Sequence, residues 1–149
     1  SGATAEAGRR DLDELAIDIL VTVAAIRFVA EQTGSAPAKI MAGRERRQLA
    51  AKSWAMALAS VVGRARSSAV GLWFGTSRQN VGNACERYLR ARDGDDPDDF
   101  LEGDWTDGRA RVLERGRVRR AKDAKTDFWE AERAFAAQLE PVEPERRRA

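Results

Sequence analysis

Apolar positions recur at three- and four-residue steps over most of the chain, the period of helices, and no stretch alternates strictly enough to mark a strand. Leu12, Leu15, Ile19, Val23, Ile26 and Val29 predict a helix over residues 11–32. Asp11, Asp13 and Glu14 stand near its N-terminus, where the helix dipole favours acids, and Gly34 and Pro37 stop it. Ala16, Leu20, Ala24 and Ala25 make its other face apolar as well, so burial on more than one side is expected, as in a dimer. Residues 38–42 suggest a short helical turn. A second long helix is expected over residues 48–62, with Leu49, Trp54, Met56, Leu58, Val61 and Val62 as its apolar content and Gly63 just past its end. Ser67 or Ser68 should cap a short helix through Trp73, Phe74-Gly75-Thr76 a tight turn, and Ser77 the cap of a helix to about Arg92. Residues 107–139 read as one or two helices interrupted near Gly116, with Ala121, Ala124, Phe128, Ala131 and Phe135 in one stripe. The Phe128, Trp129 and Phe135 cluster is expected to dock on the first helix or on another subunit. The fold class is all-α: a helical domain with a C-terminal helical extension.

The boundaries follow from composition. Residues 1–9 are small and polar and read as a disordered tail, 10–92 as the helical domain, 93–107 as a connector, 108–140 as the extension and 141–149 as a second tail. The formal net charge of +2 hides a strong segregation. Residues 36–92 hold 11 basic and 2 acidic side chains, while residues 93–107 hold 8 acidic and none basic. A basic block suits a polyanion, because lysine and arginine gain affinity by releasing counterions from phosphates; a solvated basic surface is the plainer alternative. The run of eight positive charges over residues 109–125 is either a longer footprint on phosphates or a wet helix face. The acidic connector reads as a solvated linker, with folding over the basic block as a DNA mimic the alternative. It departs from a calcium loop, since Pro97 takes the fifth position and the Gly and Glu required at six and twelve are absent.

Several chemistries drop out. The chain has one cysteine, Cys85, and no histidine, so an internal disulfide, a Cys/His zinc site and histidine-assisted nucleophilic catalysis are excluded. No paired carboxylates or nucleophile–base pair can be placed, so no enzyme, metal or cofactor is expected. Residues 15–30 are too few to span a bilayer and are broken by Asp18 and Arg27. Without a visible secretory signal, a cytoplasmic, nucleoid-associated protein is expected. The four tryptophans are spread over separate segments and read as packing residues rather than base-stacking platforms.

The stretch from Ser67 to Val81 has the parts of a helix-turn-helix. Val70, Phe74, Val81 and Ala84 would form its shared core, Gly71 would let the helices approach, and Gly75 would supply a positive φ. Ser77, Arg78, Gln79 and Asn80 then fall at the exposed start of the second helix. Arginine pairs with guanine, and glutamine or asparagine with adenine, in a bidentate manner. Arg78, Gln79 and Asn80 are therefore candidate base readers, Ser77 a phosphate contact, and Arg64 and Arg66, flanking the turn, further phosphate contacts. An ordinary helical hairpin with a polar corner is the competing reading.

Residues 20–92 resemble the C-terminal DNA-binding domain of the bacterial replication initiator DnaA. The matching marks are Ala55-Met56-Ala57-Leu58-Ala59, Gly71, Phe74-Gly75 and Ala84-Cys85, with Thr22-Val23-Ala24 and the basic loop before the long helix matching in character. The resemblance covers about half the chain. It implies a Trp-repressor-like helix-turn-helix, with Arg44, Arg46 and Arg47 on the minor groove or phosphates and Lys52 on phosphate. Two features depart from the family. The turn is one residue shorter, and Thr76-Ser77-Arg78-Gln79-Asn80 replaces the Arg-Asp-His-Thr-Thr stretch that reads the initiator's box. No phosphate-binding loop of the ATPase occurs either. The resemblance therefore implies the docking mode without the initiator's site. Small regulators with DnaA-like heads, activators of phage-like or gene-transfer-agent genes among them, are the class it implies.

The function expected is that of a sequence-specific double-stranded DNA-binding transcription regulator. Its expected partners are DNA, a second copy of the chain, and RNA polymerase or a DNA-bending protein, with no membrane. The alternative is a protein–protein adaptor of the transcription or replication machinery, using the helical head as scaffold.

Overall fold

The computed structural model describes residues 2–42, 46–93 and 121–139, and over these the fold is all-α. In chain order the helices are α1 (Gly2–Thr33), α2 (Pro37–Ala42), α3 (Arg46–Ala57), α4 (Ser67–Phe74), α5 (Arg78–Asp93) and α6 (Ala121–Leu139); a π-helical turn, Leu58–Val62, continues α3. α1 and α3 pack together, α2 caps their end, α4 and α5 lie against them, and α6 crosses α1 and the π turn. The acidic connector at residues 94–107, the stretch to residue 120 and the segment from residue 140 onward lie outside the described residues.

α1 begins at Gly2, not near residue 11. The first nine residues contain no proline and three alanines, strong helix formers, and so continue the helix in place of the expected tail. Its buried face is also rotated from the expected stripe. Val21, Ala25, Phe28 and Val29 are buried together with Asp18 and Thr22, whereas Leu12 is 66% exposed. Both faces are apolar, so periodicity alone could not choose between them; packing against α3 does, and Asp18 is taken inside with Arg66, the cap residue of α4, as its partner. Gly34, at φ 70°, ends α1, with the Ser35 amide donating to the Ala30 carbonyl at 3.0 Å. Pro37 opens α2 at the first helical position, where its missing N–H costs nothing.

The core gathers Ile26, Phe28 and Val29 of α1, Ile40 of α2, Trp54, Ala55 and Leu58 of the long α3 segment, Val70 and Phe74 of α4, and Val81, Ala84 and Tyr88 of α5. Phe28 stands edge-on to Trp54 (6.2 Å between centroids) and tilted on Phe135 (5.4 Å), which is fully buried. Phe135 thus docks on the first helix, one of its two expected partners. Gly63 follows the π turn, and a Cβ there would collide with Val21 Cγ1 and come within 3.2 Å of Leu139. Glycine at this point lets α1 and α6 close over the end of the π turn.

Candidate nucleic-acid interface

α4 and α5 meet through a three-residue turn that the local sequence specifies closely. Gly75 adopts φ 70°, ψ 34°, the left-handed conformation glycine takes without strain. The Thr76 amide donates to the Gly71 carbonyl at 2.8 Å and the Gly75 amide to that of Leu72 at 3.3 Å, so two end carbonyls of α4 are satisfied by a Schellman motif. Gly71 lies against the returning chain. A Cβ on it would approach the Thr76 carbonyl oxygen to 2.8 Å and the Arg78 amide nitrogen to 3.4 Å. The close approach is thus to the turn and the first residue of α5 more than between helix flanks. Ser77 caps α5 as expected, its Oγ accepting the Asn80 amide at 3.1 Å. Val70, Phe74, Val81 and Ala84 are all buried, forming the expected small core.

The start of α4 differs from expectation. Its cap residue is Arg66, extended at ψ 137° and making no side-chain cap bond, and Ser67 is the first helical residue. The Ser67 hydroxyl lies 3.4 Å from that of Ser60, whose Oγ also donates to the Ala65 carbonyl at 3.1 Å. The serine serves the junction between the π turn and α4 rather than the helix terminus.

The candidate side chains divide into three groups. Arg78 and Gln79 are exposed on the first turn of α5, whose opposite face is held by Val81, Ala84 and Tyr88. Asn80 is exposed, but its amide Nδ2 donates to Thr76 Oγ1 at 2.9 Å. The second Nδ2 proton and Oδ1 are left for a bidentate adenine contact, so the Thr76 bond orients the amide without excluding that role. Ser77 accepts one bond as a cap and keeps its hydroxyl proton as a donor.

In the second group the cations are engaged within the fold. Arg66 Nε donates to Asp18 Oδ2 at 2.7 Å, and its NH1 lies 3.9 Å from Glu14 Oε2. The hydrogen bond it donates to Asp18 raises the guanidinium above its ordinary value despite some desolvation, so it stays charged. Arg66 was expected on phosphate; its observed partner is a fully buried carboxylate of α1, and it tethers α4 to that helix. Lys52 is half-buried with its Nζ over the Phe74 ring, 5.9 Å from the centroid, a cation–π arrangement that packs α3 on α4.

The third group is the basic loop. Arg44 lies outside the described residues; Arg46 and Arg47 fall in the first turn of α3, and their side chains lie outside the described set. Arg64 is exposed after the π turn at φ 59°, the one non-glycine with positive φ among the described residues.

Other groups complete the surroundings. Gln79, Asn83 and Arg90 extend one exposed polar face down α5, a face that three- and four-residue spacing from Gln79 would have revealed. Leu72 and Trp73 of α4 are 66% and 39% exposed, so Trp73 is not the packing residue expected, unlike the buried Trp54. Trp105 and the Trp129 side chain lie outside the described set. Cys85 is half-buried, and burial pushes its thiol up, partly offset by the Ser60 hydroxyl. Near the end of α5, Arg92 NH1 donates to Glu132 Oε1 of α6 at 2.8 Å. Tyr88 lies beside the same carboxylate, and burial first, then Glu132, raises its phenol far above the ordinary range. Among the described residues no helix is long and apolar enough to cross a membrane. In comparisons with known proteins, no family model, curated protein or solved structure matches this chain.

Proposed function

We propose that this chain is a sequence-specific double-stranded DNA-binding transcription regulator, with α4, the Gly75 turn and α5 acting as a helix-turn-helix. α5 enters the major groove by its first turn, Arg78 and Gln79 reach base edges, and Ser77 donates its hydroxyl to a phosphate. Arg64 and the basic residues Arg44, Arg46 and Arg47 supply backbone or minor-groove contacts, as the resemblance to the DnaA DNA-binding domain suggests. The observation that carries this reading is the exposure of Arg78 and Gln79 at the N-terminal turn of a helix whose opposite face is locked into the core. An activator of phage-like or gene-transfer-agent genes is the regulator this resemblance favours.

The test begins with selection from a random duplex library. Fluorescence anisotropy at several salt concentrations follows, on the wild type and on the Arg78→Ala/Gln79→Ala variant. Affinity should fall with salt at a slope of about 0.9 per phosphate contact. The double variant should lose the preference for the selected duplex over random DNA, about 1–3 kcal/mol per lost base pair contact, while salt-sensitive binding persists. No duplex binding at low salt would overturn the reading. A second reading, the protein adaptor, is favoured by the exposed Leu72 and Trp73 on α4, which would then anchor a protein partner.

A further inference from the structure

α1 turns a second face to solvent, opposite the one that meets the core. Arg9, Asp13, Ala16, Leu20, Arg27 and Glu31 lie along it at steps of three, four and seven residues, and all are exposed. Leu20, a large apolar side chain 58% open to water, stands at the middle. The charges are arranged symmetrically in position and oppositely in sign about it. Asp13 stands seven residues before Leu20 and Arg27 seven after; Arg9 stands eleven before and Glu31 eleven after. Steps of seven and eleven both return a helix to nearly the same face. Reversing the helix about Leu20 therefore brings every charge onto one of opposite sign.

We infer that this face is an interface for a second copy of the chain, paired antiparallel about a two-fold axis at Leu20. Asp13 then meets Arg27 of the other copy, Arg9 meets its Glu31, and the two Leu20 side chains cover each other. Ala16, four residues before Leu20, is small enough for the helices to close. A parallel, in-register pair would set each charge against itself, so the charge pattern selects the antiparallel form. The interface is isologous, as a two-fold homodimer requires, and it lies away from the bodies of both copies because it is opposite the core. It is independent of what α5 contacts. Where both hold, the dimer reads inverted half-sites.

Sedimentation equilibrium of the full chain without DNA tests the pairing. The wild type should dimerise reversibly at roughly tens of micromolar, in keeping with a small, partly charged interface. Asp13→Arg alone and Arg27→Asp alone should each weaken the dimer roughly tenfold, by turning two attractive contacts into repulsive ones. An equimolar mixture of the two variants should associate at least as tightly as the wild type, since opposite charges then meet at both places. Leu20→Glu should be monomeric. All three substituted positions are exposed, and thermal melts read by circular dichroism check that each variant folds. A wild type monomeric up to about a millimolar would overturn the inference, as would a mixture no tighter than its components. Neither outcome touches DNA binding, which the anisotropy titration decides separately.

Discussion

Two glycines show how single residues hold the α4–α5 corner, and a tyrosine near the far end of α5 shows how one residue sets a pH dependence. Gly71 has no room for a side chain, because the Thr76 carbonyl oxygen would stand 2.8 Å from its Cβ. That atom is backbone in a turn fixed by two further hydrogen bonds, so it yields only if the corner opens. Gly71→Ala should destabilise the fold by about 1–3 kcal/mol in urea denaturation, an overpacking cost. Gly75→Ala meets open space instead and should cost only the left-handed penalty, about 1 kcal/mol. Tyr88 sets a pH dependence. Its folded value is raised, first by burial and then by Glu132, whereas an unfolded tyrosine ionises near pH 10, that is at about its reference value. The folded state thus retains a proton that the unfolded state loses. Stability is unaffected below about pH 10 and falls above it, by up to about 1.4 kcal/mol per pH unit. Tyr88→Phe should flatten that alkaline limb, which stability measured between about pH 9 and pH 11 would reveal.

Among the helices, the parts legible in the sequence are those specified within a few residues. Gly75, the Ser77 cap and the buried quartet of Val70, Phe74, Val81 and Ala84 all depend on neighbours in the same segment, and each is where the pattern places it. The face of α1 was not legible, because both sides are apolar and the choice belongs to the tertiary packing. Nor was the partner of Arg66, since Asp18 lies 48 positions earlier in the sequence. Asn80 is exposed where the pattern places it, and Thr76, four residues back, also engages its amide. Asn and Thr at that separation on a helix start are a local signal that was available. α6 is the element whose docking is easiest to measure. Phe135→Ala removes a fully buried ring that packs on Phe28 and should cost about 3–5 kcal/mol. Because α6 also holds Tyr88 and Arg92 through Glu132, the loss should loosen the end of α5 first, as faster amide exchange over residues 88–93.

For the molecule as a whole, the basic block is less available than its charge count suggests. Arg66 neutralises a buried carboxylate and Lys52 lies over an aromatic ring, so these two cations brace α4 against α1 and α3. A phosphate contact and a tether can be told apart by salt. Arg66→Gln should lower the melting temperature, yet leave the salt dependence of DNA affinity unchanged; a phosphate role would reduce that slope by about 0.9. Asp18 acts at the same scale, since through Arg66 it ties the start of α4 to the long first helix.

The π turn at Leu58–Val62 carries a consequence for tolerance to length change. Its amides reach back five residues, Gly63 to Leu58 at 2.9 Å, so it stores one residue more than an α-helical turn would over the same path. A deletion inside it, such as loss of Val61, can be absorbed by tightening to regular helix, leaving Gly63 still opposite Val21. A deletion of Ser53 in regular α3 has no such slack and rotates everything beyond it by about 100°. The first shortened chain should fold cooperatively and the second should not, as paired thermal melts would show. The chain thus contains a spare residue at the junction between its scaffold and its proposed reading head, and a one-residue deletion there is the length change the fold should absorb.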